Sequence, residues 1–145
     1  MRTSCFSLMA MLLIALCSCS GKGKRLEEKI IGRYFSVSEN EYDHFKDTME
    51  IRRTDDGKYD VTQIANWSSA KKSDPTRPNR NKVAGEWINY GKGDTFTGSF
   101  QMSDTTLRIT DPMSGSVEII RFDVDEGLMY YPVRNSFETY TKIKD

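Results

Sequence analysis

Thr95-Phe96-Thr97-Gly98-Ser99-Phe100-Gln101-Met102 is the stretch that decides the fold. On an extended chain Phe96, Gly98, Phe100 and Met102 share one side, and Thr95, Thr97, Ser99 and Gln101 share the other. An alternation of period two, dry on one face and wet on the other, marks a half-buried strand of an antiparallel sheet. The pattern continues on both sides of it. Met49 and Ile51 alternate with Glu50 and Arg52, and Leu107 and Ile109 alternate with Thr106, Arg108 and Thr110. Turn formers separate these runs: Asp55-Asp56-Gly57, Gly91-Lys92-Gly93-Asp94, Ser103-Asp104, Asp111 to Gly115, Asp125-Glu126-Gly127 and Arg134-Asn135-Ser136. Nine strands are predicted, at roughly 30–37, 48–54, 58–65, 83–90, 95–102, 105–110, 116–123, 128–133 and 136–143. Composition agrees. Past residue 18 the chain holds nine Ile, six Val and eleven Thr, but only three Leu and three Ala, a balance that suits pleated surfaces rather than helices. A meander this long must protect its edges. The expected fold is all-β, an antiparallel up-and-down meander closing into a barrel of about eight strands.

Two connections interrupt the pattern. Ser38 to Asp47 is charged and is expected to hold a helical turn, with Phe45 turned inward as a lid. Ser68 to Asn81 is rich in Pro, Asn and basic residues and reads as an exposed loop. Lys71, Lys72, Arg77, Arg80 and Lys82 in and beside it stand against one acid, Asp74.

The first eighteen residues differ from the rest: thirteen of them are hydrophobic, and Arg2 is their only charge. The apolar run Phe6 to Leu16 is shorter than the roughly 20 residues needed to span a bilayer, but suits a signal peptide. Leu16-Cys17-Ser18-Cys19 resembles a bacterial lipobox. The resemblance implies cleavage before Cys19 and acylation of that residue, by palmitate among other chains, which anchors the protein to a membrane. The expected organisation is a signal peptide over 1–18, a lipidated cysteine and tether over 19–29, and a barrel domain over 30–145. All three cysteines, Cys5, Cys17 and Cys19, lie in the leader. The body therefore has no disulfide, no thiol nucleophile and no cysteine metal site.

Chemical motifs are sparse. With 21 basic and 21 acidic residues the chain lacks the basic surplus that nucleic-acid binding needs. His44 is the only histidine, so no metal site and no cofactor is expected. Ser69 to Lys72 spells a Ser-x-x-Lys string, but in a loop, and no Gly-x-Ser-x-Gly elbow is present. Asp123 to Gly127 suggests a calcium loop, but its spacing fits a hairpin turn better. No catalytic residue is assigned, and the protein is not expected to be an enzyme. Asp47-Thr48-Met49 and Asp104-Thr105-Thr106 resemble the acceptor of a bacterial O-glycosylation system. Aromatic residues fill the body. A dry core accounts for some; Trp87, Phe96, Phe100 and Tyr130 are the candidates to line a ligand cavity.

Gly32-Arg33-Tyr34 on the first strand resembles the Gly-x-Trp entry motif of the calycins, and Phe137 to Ile143 resembles their last strand. The chain thus resembles the small lipocalin-like lipoproteins of Gram-negative bacteria. The resemblance implies a basic residue, Lys142 or Arg134, packed across Tyr34. It also implies carriage of a small apolar molecule or docking to a protein. Ser20 after the anchor cysteine favours the outer membrane. The expected function is an envelope lipoprotein binding a small, partly apolar ligand in its barrel. The alternative is a protein–protein interaction module with a packed barrel, working through Lys71, Lys72 and Arg77.

Overall fold

The computed structural model describes residues 26–74, 76 and 82–144. Among these residues nine strands follow in order: β1 (Gly32–Glu39), β2 (Asp43–Arg53), β3 (Tyr59–Ala70), β4 (Trp87–Asn89), β5 (Thr95–Gln101), β6 (Thr106–Thr110), β7 (Val117–Asp123), β8 (Leu128–Val133) and β9 (Ser136–Lys142). All pair antiparallel, and all but β4 follow meander order. Pairing of β1 with both β2 and β9 closes eight of them into a barrel, as the alternation predicts. The short β4 stays outside and pairs with the far end of β3, Ser69 opposite Trp87.

Register decides what points inward. Tyr34 stands opposite Met49, Ile51 opposite Val61, and Val61 opposite Phe96. Phe100 stands opposite Leu107, Leu107 opposite Ile120, and Phe122 opposite Met129. Except for Phe96, these residues and their neighbours form one apolar core at one end of the barrel. Phe100 packs edge-on between Tyr59 and Phe122, with ring centroids 6.0 and 6.3 Å away. A helical turn over 26–30 seals this end, with Ile30 buried beneath it. The Tyr34 hydroxyl donates to the Ile30 carbonyl at 2.9 Å. The Lys142 ammonium lies 5.9 Å from the Tyr34 ring centroid and donates to the Lys29 carbonyl. Gly32, at φ +132°, leaves room for that lysine, because an added Cβ would sit 3.1 Å from Lys142 Cε.

Gly98 has a different steric role. A Cβ there would lie 2.8 Å from the Arg108 carbonyl oxygen and 3.0 Å from Ile109 Cγ1. Backbone and a branched side chain cannot both retreat, so Gly98→Ala should lower stability by about 1–2 kcal/mol. Urea denaturation checks this; an unchanged midpoint would mean that β5 and β6 separate freely.

Two expectations about connections are corrected. There is no helical turn over 38–47. The Asn40 side chain accepts from the Tyr42 and Asp43 amides, both at 2.8 Å, which makes a tight turn, and β2 starts at Asp43. Phe45 is a strand residue between Ser38 and Ser68, not a lid. The exposed loop begins later than expected, because β3 runs on to Ala70 beside the lengthened β2. Between them the register shifts at Thr48/Met49. Ile64 is the extra residue, so Asp47 stands opposite Asn66 and Met49 opposite Gln63.

Candidate functional site

The interior is filled from the sealed end as far as Met49 and then opens. A cavity of about 360 Å³ lies in this mouth, lined by Asp47, Met49, Gln63, Phe96, Tyr131 and Glu138, with Tyr140 beside them. A wider depression of about 640 Å³ shares Asp94 and Phe96 with it and extends to Ile109, Asp111 and Glu118. Taken together, the two linings hold five acids, Asp47, Asp94, Asp111, Glu118 and Glu138, and no lysine or arginine.

Asp47 holds the least favourable position. It follows Asp43 and Phe45 on the inward side of β2, two residues before Met49. It is only 9% exposed, and its Oδ1 has no hydrogen-bond partner. A buried acceptor left without a donor costs roughly 1–3 kcal/mol. Burial, and then the charge of Glu138, push its pKa up to about 6. Glu138 is better served, because the Ser36 hydroxyl donates to it at 2.9 Å. The Tyr140 phenol is pushed up by burial and by the charges of Glu138 and Asp47. Burial and the Glu118 charge do the same to Tyr131. Among the described residues no three His, Cys, Asp or Glu side chains converge to hold a metal ion.

A second buried polar group lies at the far end of β3. Lys82 Nζ donates to Asp43 Oδ2 and to Ser68 Oγ, both at 2.8 Å, and Ser68 Oγ donates to the Tyr90 hydroxyl at 3.3 Å. A serine beside a lysine is one form of activated nucleophile, but only when the amine is neutral. Burial opposes the charge on Lys82, yet its bonds to Asp43 and Tyr90 outweigh that and raise its pKa above the ordinary value. The ammonium has no lone pair to take a proton, and Ser68 is 1% exposed. The group is a clamp that holds the chain onto β2 and β3 where it returns from the loop.

The cavity candidates separate. Phe96 stands in the mouth, 43% exposed. Phe100 is inside, but packed into the sealed core. Trp87 lies on β4, outside the barrel, in an outer groove of about 310 Å³ with Phe35, Lys46, Thr48 and Trp67. Lys46 Nζ sits 4.1 Å over the Trp87 ring. Tyr130 pairs with Arg121 and Thr139 on the outer face, because its neighbour Tyr131 takes the inward position. Lys71 is paired with Glu39 at 3.0 Å, and Lys72 is exposed beside Tyr42 and Asp74. Lys82, expected in the exposed basic run, is instead buried. His44 is a half-buried strand residue 3.1 Å from Glu39. Arg77, Arg80, Cys19 and the signal peptide over 1–18 lie outside the described residues. Sequence reasoning missed Asp47, Gln63, Tyr131 and Glu138. The available signal was phase: Asp47 is in step with Met49 and Ile51, and Glu138 with Tyr140. Comparison of the chain with protein-family models, with curated proteins and with solved structures finds no match.

Proposed function

We propose that this protein is a membrane-anchored envelope lipoprotein whose barrel binds a small, partly apolar ligand at its open end. The observation that carries the reading is the unpartnered, buried Asp47 carboxylate in the wall of an open cavity. A group that costs stability and makes no internal bond is what a binding site retains for its ligand. The cavity volume of about 360 Å³ falls within the range of small-molecule sites, roughly 300–1,000 Å³. One wall is apolar, with Phe96, Met49 and Tyr131, which suits a partly apolar molecule. The sealed end supplies a rigid floor.

Native mass spectrometry of the protein, gently extracted from its host's membranes, tests this. The expected result is a retained mass of a few hundred daltons beyond the anchor. Phe96→Arg, at an exposed position in the mouth, should abolish that mass and leave the melting temperature within a few degrees. Retention by the variant would move the ligand elsewhere; a bare monomer from the wild type would count against the reading. The anchor has its own test. Labelling with radioactive palmitate should be lost completely in Cys19→Ala.

The second reading is a protein–protein interaction module. Its support is the outer groove, where Phe35, Trp67 and Trp87 are each more than a third exposed. Trp67→Glu, and charge reversal at Lys71, Lys72 and Arg77, should then weaken partner capture, the latter in a salt-dependent way.

A further inference from the structure

We infer that the ligand of the barrel mouth carries a cationic nitrogen with N–H donors, a protonated amine or amidine, on an apolar body. The inference rests on the ligand-binding reading above and names the chemical class. No lysine or arginine lines the cavity around Asp47. Ser36 comes from β1, Asn66 and Gln63 from β3, Tyr131 from β8, Glu138 and Tyr140 from β9, and Asp94 from the segment before β5. All are neutral or acidic. The adjoining depression adds Asp111 and Glu118. An anionic ligand would meet five carboxylates with no cation to offset them. A neutral hydroxyl would give Asp47 one donor but leave the repulsion between Asp47 and Glu138 in place.

A protonated amine meets both needs. Its charge compensates the buried Asp47 carboxylate in the cavity wall and relieves the like-charge pair with Glu138. Glu138 is already oriented by Ser36 and presents its charge from β9, on the other side of β1. The apolar body then rests against Met49 and the Phe96 and Tyr131 rings, whose faces also tolerate a nearby cation. A bare divalent ion fits less well, because no three carboxylates converge among the described residues.

The test uses the full chain in detergent micelles at pH 7.5, with three probes of similar size: 2-phenylethylamine, 2-phenylethanol and 3-phenylpropanoate. Binding is read at the carbon-13-labelled Met49 methyl, which lines the cavity. The amine should bind at least tenfold more tightly than the alcohol, and the propanoate should not bind. Asp47→Asn should remove the advantage of the amine while the alcohol still binds, and Glu138→Gln should reduce it. In wild-type protein the amine's advantage should fall as pH drops below 6.

Alcohol binding as tight as amine binding, or an unchanged ratio in Asp47→Asn, overturns the inference and leaves a ligand site intact. Failure of all three probes to move the Met49 methyl also overturns it. A retained native ligand without a basic nitrogen does the same, whereas absence of any retained ligand counts against the parent reading.

Discussion

Lys82→Ala is expected to lower the unfolding free energy by about 3–5 kcal/mol, the usual cost of removing one partner from a buried ion pair. The pair is closed from water: Lys82 is 9% exposed and Asp43 6%. Removing the ammonium takes away the counter-charge that it gives the buried Asp43 carboxylate, and deprives Ser68 of a donor. The other ion pairs are a useful contrast. Lys29–Asp125, at 2.9 Å, is exposed on both sides, and such pairs contribute roughly 0–1 kcal/mol. Geometry alone does not separate the two pairs; burial does. The measurement is urea denaturation of Lys82→Ala, Lys82→Met, Asp43→Asn and the double variant Asp43→Asn/Lys82→Met. The singles should be badly destabilised and the double should recover much of the loss, since it removes both charges together. A single-variant loss under about 1 kcal/mol would show that water reaches the pair and that the clamp is only a surface contact.

Asp47→Asn should act in the opposite direction and stabilise the protein by about 1–3 kcal/mol at pH 7.5. The sign follows from the proton count. The native carboxyl has a pKa raised to about 6, above the ordinary aspartate value of 3.8. Between those values the native state holds a proton that the unfolded chain has released, so stability falls as pH rises from about 4 to about 6. Above that window both states are ionised and the penalty is complete. An asparagine at this position cannot ionise, so the variant should lack this slope. The lowered carboxyls of Glu39, Glu50, Asp56, Asp104 and Asp111 have the opposite sense. Their contribution is lost at lower pH, as it falls toward and below the ordinary carboxylate range, so the two effects separate. Denaturation of wild type and variant at pH 4, 5, 6 and 7.5 isolates the contribution of Asp47 as their difference. A variant less stable than wild type at pH 7.5 would show that Asp47 has an internal partner. A stabilised variant that loses its ligand is the exchange of stability for function expected of a binding site.

The barrel was legible because most strands obey a period of two and their turns carry their own chemistry. β8 falls on the predicted residues 128–133, and β5 to β7 within one residue at each end. What was hidden has physical causes. In Ser38 to Asp47 the charges obscure the inward phase of Asp43, Phe45 and Asp47, and only pairing with β1 and β3 reveals it. Lys82 belongs by composition to a solvated basic run. Its burial depends on Asp43, Ser68 and Tyr90, which come from three separate segments. Tyr130 and Tyr131 are adjacent, and nothing local says which turns inward; the pairing of Met129 with Phe122 decides it. Trp87 reads as cavity lining because it is aromatic and of strand type. It lies on the one strand outside the closed barrel, a distinction of topology that no local pattern carries.

The helical turn over 26–30 is floor and doorway at once: the chain enters the barrel where the barrel is plugged, and it leaves there too, with the Ile143 amide donating to the Arg33 carbonyl at 2.8 Å. Whatever is fastened ahead of residue 26 therefore grips the molecule by its base. With that tether held at a bilayer, the five carboxylates look away from the lipid and into the water. Under the proposed function, cargo then arrives by diffusion through the aqueous compartment, already dissolved, rather than by sliding sideways out of the membrane.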